Sequence, residues 1–158
     1  MLRKVIDKTL DISLIIILAA MTGIVAANVF CRFILGFSIY WGDELAQTLM
    51  VWLTFLGAAV AIRDGSHYTF SYLANKLKGR ALRVYIVTCD LLVVVSILIL
   101  GYYSLRITQG IANWILPALE ISRAWVYVSA PLGCLFMLYY SISQLLKNVD
   151  QSHKGANQ

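Results

Sequence analysis

Residues 41–67 read WGDELAQTLMVWLTFLGAAVAIRDGSH. The middle, Leu45 to Ile62, holds 18 residues without a charge, and the two ends gather Asp43 and Glu44 on one side and Arg63, Asp64 and His67 on the other. A helix of about 20 apolar residues crosses the ~30 Å hydrocarbon core of a bilayer. The middle therefore predicts a membrane span, and the question passes to its polar ends.

Three further runs have the same character. Ile12 to Cys31 is charge-free over 20 residues, Ala124 to Leu146 over 23, and Val84 to Leu105 spans 22 interrupted only by Asp90. The chain of 158 residues is 60% hydrophobic and 13% charged, too little polar surface to cover a soluble core. The sequence predicts an all-α integral membrane protein with four transmembrane helices at about 12–33, 43–63, 84–105 and 124–146. Residues 1–147 form one transmembrane domain, and 148–158 a polar, disordered tail. The N-terminal Arg3 and Lys4 resemble a signal-peptide start, but the apolar run behind them is too long, and it reads as a retained anchor.

The net charge is +5, yet the basic residues stand at span ends, which argues for a membrane setting and against nucleic acid. Ten of the 13 Lys and Arg fall on the side of the termini and of the loop after span two, leaving Arg32, Arg106 and Arg123 on the other. The positive-inside bias predicts both termini in the cytoplasm. In the basic loop, Phe70, Leu73 and Leu77 recur on one face while Lys76 and Lys78 fall largely elsewhere. This predicts a short amphipathic helix in the membrane interface between helices 2 and 3, with a partner-binding arm as the sharper alternative.

Several positions invite a role. Asp43 and Glu44 stand at the N-terminus of span two, where the helix dipole favours anions, with Arg32 as the expected counter-ion. The other reading has one of these carboxylates facing a protein partner. Asp90, the one clear intramembrane charge, is expected to pair with Arg83 or Arg63, with subunit contact or ion handling as alternatives. Ala19, Gly23 and Ala27 at four-residue spacing form a small-residue face suited to close helix packing. Pro131 removes a backbone donor and predicts a kink that frees the carbonyl of Tyr127. Residues 104–123, with Trp114 and Pro117, read as a partly helical segment on the outer surface.

Catalytic chemistry is sparse. The two histidines, His67 and His153, lie at a span end and in the tail, and Cys31, Cys89 and Cys134 sit at different depths. No phosphate loop, nucleophile–base pair or metal-ligand spacing is present in the sequence, so neither enzyme, metal site nor cofactor is expected.

Taken in order, Arg32-Phe33, then Trp41-x-Asp43-Glu44-Leu45-Ala46, then Trp52-Leu53-x-Phe55-Leu56-Gly57-Ala58-Ala59, then Arg63-x-Gly65-x-His67, resemble the small membrane subunit of TRAP transporters, the DctQ-like family. PALEISRAWVYVSAPLG, residues 117–133, resembles the same family's last loop and fourth span. The resemblance implies a bacterial inner-membrane subunit of a sodium-driven symporter importing organic acids such as C4-dicarboxylates or sialic acid. A large membrane subunit, expected in trans, would carry the transport sites, and a periplasmic substrate-binding protein would deliver the substrate. The small subunit would act as a scaffold and help dock the binding protein, with Arg32, Trp41, Asp43, Glu44, Trp52, Gly57, Arg63 and His67 serving fold and subunit contact. The alternatives are a cytochrome-b-like redox anchor and a stand-alone four-helix transporter.

Overall fold

The structure is a computed structural model that describes the backbone of residues 2–64 and 80–154 and the side chains of residues 4–64 and 85–146. His67, the expected interfacial helix and the side chain of Arg83 lie outside the described residues. Helix α1 runs Leu2–Phe30 and continues through a π turn, Cys31–Leu35. Helix α2 covers Gly42–Arg63, α3 Arg80–Gly110, the single turn α4 Ala124–Tyr127 and α5 Ser129–Lys154. Four stretches within them are long and apolar enough to cross a membrane: Lys4–Leu35, Gly42–Arg63, Tyr85–Gly110 and Ala124–Leu146. The last helix continues to Lys154, where a disordered tail from Asn148 was expected.

Hydroxyl groups inside these spans are accommodated locally. Thr22, Thr54 and Ser96 each donate to the carbonyl four residues earlier at 2.8 Å, so these three hydroxyl protons do not face hydrocarbon. At the end of α1 the π turn stops at Gly36, whose φ of 74° lies in the left-handed region that glycine adopts without a Cβ penalty. Phe37 N–H then closes the turn onto the Cys31 carbonyl at 3.3 Å.

The spans are arranged as a row. Helix α1 packs on α2, α2 on α5 and α5 on α3, and no other pair of spans packs comparably among the described residues. The two middle members bury the most: over an apolar 18-residue stretch of each, 39% of the last span and 22% of the second are buried, against 6% of the first. The core joins Leu56, Ala59 and Ile62 of α2 to Cys134, Met137 and Tyr140 of α5, with Leu10 of α1 and Ile97 of α3 closing it from either side.

One contact sets the spacing of the middle pair. A Cβ on Gly133 would fall 2.7 Å from Phe55 Cβ and 3.1 Å from the Phe55 carbonyl oxygen, so the backbones of α5 and α2 meet where only glycine fits. The small-residue face expected to make such a contact does not make it. Ala19, Gly23 and Ala27 are all exposed, and nothing described lies within 4 Å of a Cβ placed on Gly23. Gly57 is likewise open. Replacing Gly133 by Ala is expected to cost about 1–3 kcal/mol through overpacking, read as a lower thermal midpoint in detergent. Gly57→Ala should stay within about 0.5 kcal/mol of the parent.

Candidate functional site

The polar side chains gather at the two ends of the row. At the end carrying the 36–41 and 111–123 connections (the loop end), Asn28 of α1 is buried and donates from Nδ2 to Asp43 Oδ1 at 2.8 Å. Its Oδ1 accepts the Ile39 N–H at 3.0 Å and the Ser38 hydroxyl at 3.4 Å. One amide thereby ties α1, the first connection and the start of α2 together. Gly42, beside it, is buried with the Asn28 amide 3.6 Å from where a Cβ would stand.

Glu44 reaches a different partner. Its Oε2 accepts the backbone N–H groups of Ala118 and Leu119, both at 2.9 Å, and so holds the long connection just after Pro117. A carboxylate accepting two N–H groups makes the stronger, charge-assisted kind of hydrogen bond. The expected pairing with Arg32 is not formed: Arg32 is exposed and makes no ion pair among the described residues. Neither acid caps the helix, because the N-cap is Trp41, which makes no side-chain capping bond, and both acids lie inside the first turn.

The connection itself is mostly not helical. After Gly110 the chain turns, forms an isolated antiparallel bridge between Ile115 and Ser122, and holds Glu120 at φ 53° in the tight reversal between them. Of residues 104–123, expected to be partly helical and ended by Pro117, only 104–110 are helical, as the end of α3, and the helix stops at Gly110. Beyond it, α4 and α5 are separated at Val128. The Thr108 hydroxyl of α3 donates to its own Ser104 carbonyl at 2.8 Å, and the Tyr127 carbonyl that Pro131 frees stands 3.3 Å from the same hydroxyl, sharing its proton at most. Trp52 Nε1 donates to the Trp125 carbonyl at 3.3 Å, joining α2 to α4.

At the opposite end, Arg63 terminates α2 and turns back on α1. Its Nη2 lies 2.9 Å from Asp11 Oδ1, its Nε 2.8 Å from Asp64 Oδ1, and Nη1 donates to the Asp7 carbonyl at 3.3 Å. Tyr140 of α5 donates to Asp7 Oδ1 at 2.6 Å, and Gln144 donates to the Ile62 carbonyl at 2.6 Å. Three helices therefore meet in one cluster. Asp90 is buried at 8% exposure. Among the described contacts Arg63 pairs with Asp11 and Asp64 and not with Asp90, which has a partner of its own.

Sequence reasoning missed Asn28, Asp7, Tyr140 and Gln144. Asn28 had a signal, a lone amide within an apolar span, where such a group must find a partner helix. Asp7 and Asp11 stand four apart on one face of α1, spacing that places both on the Arg63 side. The cysteines are free thiols. Among the described residues no group of three His, Cys, Asp or Glu side chains could hold a metal ion.

Residues 21–151 match the family described as Tripartite ATP-independent periplasmic transporters, DctQ component. The chain belongs to this family. It is 29% identical over 148 residues to the sialic acid TRAP transporter small permease protein SiaQ of Vibrio cholerae, covering 92% of this chain and 84% of that one. It is 34% identical over 150 residues to a putative TRAP transporter small permease protein of Haemophilus influenzae, covering 94% and 92%. It is also 28% identical over 121 residues to the sialic acid TRAP transporter permease protein SiaT of Haemophilus influenzae, where 76% of this chain matches only 20% of a longer permease. Membership makes the chain a multi-pass membrane subunit of a transport system and not an enzyme.

Glu44→Ala would strand the Ala118 and Leu119 N–H groups at a cost of about 1–3 kcal/mol. Faster amide exchange across residues 116–121 is the expected readout, with Glu44→Gln, which keeps an acceptor oxygen, lying between the variant and the parent. Unchanged exchange in Glu44→Ala would show that the carboxylate does not hold the loop.

Proposed function

We propose that the chain is the small permease subunit of a sodium-driven TRAP importer of an organic acid, of the sialic acid or C4-dicarboxylate type, and that it serves as a static membrane scaffold for the large transport subunit. The observation that carries this reading is the placement of polar contacts. Most described side-chain ties between helices lie near the two ends of the row, where they pin helix to helix, with Trp52 to Trp125 reaching into the span, while span-interior hydroxyls such as Thr22, Thr54 and Ser96 are spent on their own backbone. Transporters that move substrate themselves place polar sites near the midplane, often on broken helices. A plate of helices pinned at both ends suits a part that stays still while another moves.

A large partner is supported by the SiaT comparison, in which the region like this chain makes up a fifth of a longer permease. A wide row offers two broad apolar faces, and many of its exposed residues are large hydrophobics, which suits contact with lipid and with another membrane subunit. The excess of Lys and Arg beside the termini supports cytoplasmic termini and an inner-membrane location. The loop end then faces the periplasm, where Glu44 and the 111–123 connection are placed to help receive a substrate-binding protein. Arg32, Trp41, Gly57 and the Ala19, Gly23, Ala27 face remain open on the surface of this chain and are assigned to subunit contact, His67 is assigned there on the sequence pattern, and the buried Asp90 is assigned to structural pairing within the chain. The basic segment after α2 is assigned to an interfacial helix.

Reconstitution tests the reading. Uptake into proteoliposomes is expected to require a sodium gradient, the binding protein, the large subunit and this chain together; uptake by this chain alone would contradict the scaffold role. With the native cysteines replaced, Ser38→Cys in intact cells should react with a membrane-impermeant maleimide. A cysteine at position 153 should react only after lysis, and the reverse pattern would invert the topology.

A further inference from the structure

Two cavities lie end to end in the row of helices. The one at the loop end has a volume of about 330 Å³ and takes its polar lining from Glu44, Gln47, Thr48 and Arg123. The second, of about 190 Å³, is walled by Phe55, Leu100, Ile107 and Ala130. Val51 and Tyr127 line both, so the two form one crevice. Along α2 the lining positions 44, 47, 48, 51 and 55 recur every three or four residues on one face. From Glu44 to Phe55 this face covers about 16 Å at 1.5 Å per residue. Its character changes from charged at the helix end to apolar in the membrane interior, and Ser104, which borders the deep part, has its hydroxyl engaged by the Gly101 carbonyl at 2.8 Å.

The charges at the mouth are of both signs and incompletely used. Arg123 makes no ion pair among the described residues and stands with its guanidinium 6.0 Å from the Trp114 ring centroid. Glu44 commits Oε2 to the loop N–H groups, while Oε1 accepts no hydrogen bond from the described residues. Trp125, in the first turn of α4 at the loop end beside the crevice, is the residue type that settles at headgroup level. The mouth thus presents a cation and an anion at interfacial depth, above an apolar slot that leads inward.

We infer that this crevice binds one zwitterionic glycerophospholipid with an ethanolamine headgroup. The phosphate pairs with Arg123, the ammonium faces Glu44 Oε1, and an acyl chain lies along Val51, Phe55 and Leu100. A lipid carrying only a negative charge would meet Glu44 without compensation, and an uncharged one would leave Arg123 unmatched. Bound there, the lipid would fill the gap between α2, α3 and the long connection that Glu44 holds. The inference rests on the crevice alone and stands whether or not the scaffold role does.

Native mass spectrometry of the purified, delipidated chain tests it, using phosphatidylethanolamine, phosphatidylglycerol and diacylglycerol with matched acyl chains. Phosphatidylethanolamine is expected to be retained best, phosphatidylglycerol less and diacylglycerol least. Arg123→Gln should weaken phosphatidylethanolamine retention about tenfold, as loss of one charge-assisted hydrogen bond does. Arg106→Gln, at the same end but outside the lining, should leave retention unchanged. Equal retention of the three lipids by the parent chain overturns the proposal without any variant, as does an equal effect of the two arginine substitutions. Glycerophosphoethanolamine binding as tightly as the intact lipid would reassign the mouth to a soluble phosphate ester. A photo-crosslinker at position 51 that captures a protein in membranes, and no lipid, would give the crevice to a partner subunit and overturn the proposal as well.

Discussion

At Gly133 the backbone of α5 meets Phe55 of α2 so closely that no Cβ fits, and the remaining spans are placed by that contact. With α5 seated on α2, its next residue, Cys134, turns toward α3, lying 3.6 Å from where a Cβ on Gly101 would stand. One helix therefore serves two neighbours through two adjacent residues. Helix α1 is left to the far side of α2, and the result is a row in the order of spans one, two, four and three. In a bilayer such a row is admissible because lipid tails cover bulky aliphatic side chains as well as another helix does, and packing and polar contacts decide which helices meet.

The polar contacts complete what that packing begins. Asn28 to Asp43 at one end and Asp11 to Arg63 at the other pin α1 to α2. Glu44 fixes the connection at the loop end and Trp52 ties α4 to α2, while Tyr140 and Gln144 fasten α5 to the first two helices at the other end. Ties near both ends of a span resist tilting more than a single tie at its middle. Such mechanics are what the proposed scaffold role would require.

Much of this was legible in the sequence because the bilayer imposes simple rules. Charge-free runs of about 20 residues located the four spans, and Pro131 pointed to Tyr127 as a carbonyl without its helical donor, which the Thr108 hydroxyl approaches to 3.3 Å. What stayed hidden were pairings across helices. The acids at 43 and 44 were visible as a helix start, but nothing local says that one would seek an asparagine 15 residues earlier and the other a loop 74 residues later. Arg32 stands near in sequence and yet remains unpaired among the described residues, whereas Arg63 finds Asp11, 52 positions away. Small residues misled in the same way. The regular spacing of Ala19, Gly23 and Ala27 marked a face that this chain does not use internally, and the close approach fell on Gly133, a single glycine without a repeat.

The order of helices in the row is the central claim, and a distance between its two edges tests it most directly. Spin labels at Leu18→Cys in α1 and Leu98→Cys in α3, both exposed positions near mid-span, can be measured by pulsed dipolar spectroscopy in nanodiscs with the native cysteines replaced. A row separates these helices by up to three interaxial steps of about 8–10 Å, so the main distance should lie beyond about 20 Å. A closed four-helix bundle, with α1 against α3, would bring it to about 10–15 Å, and that result would contradict the account.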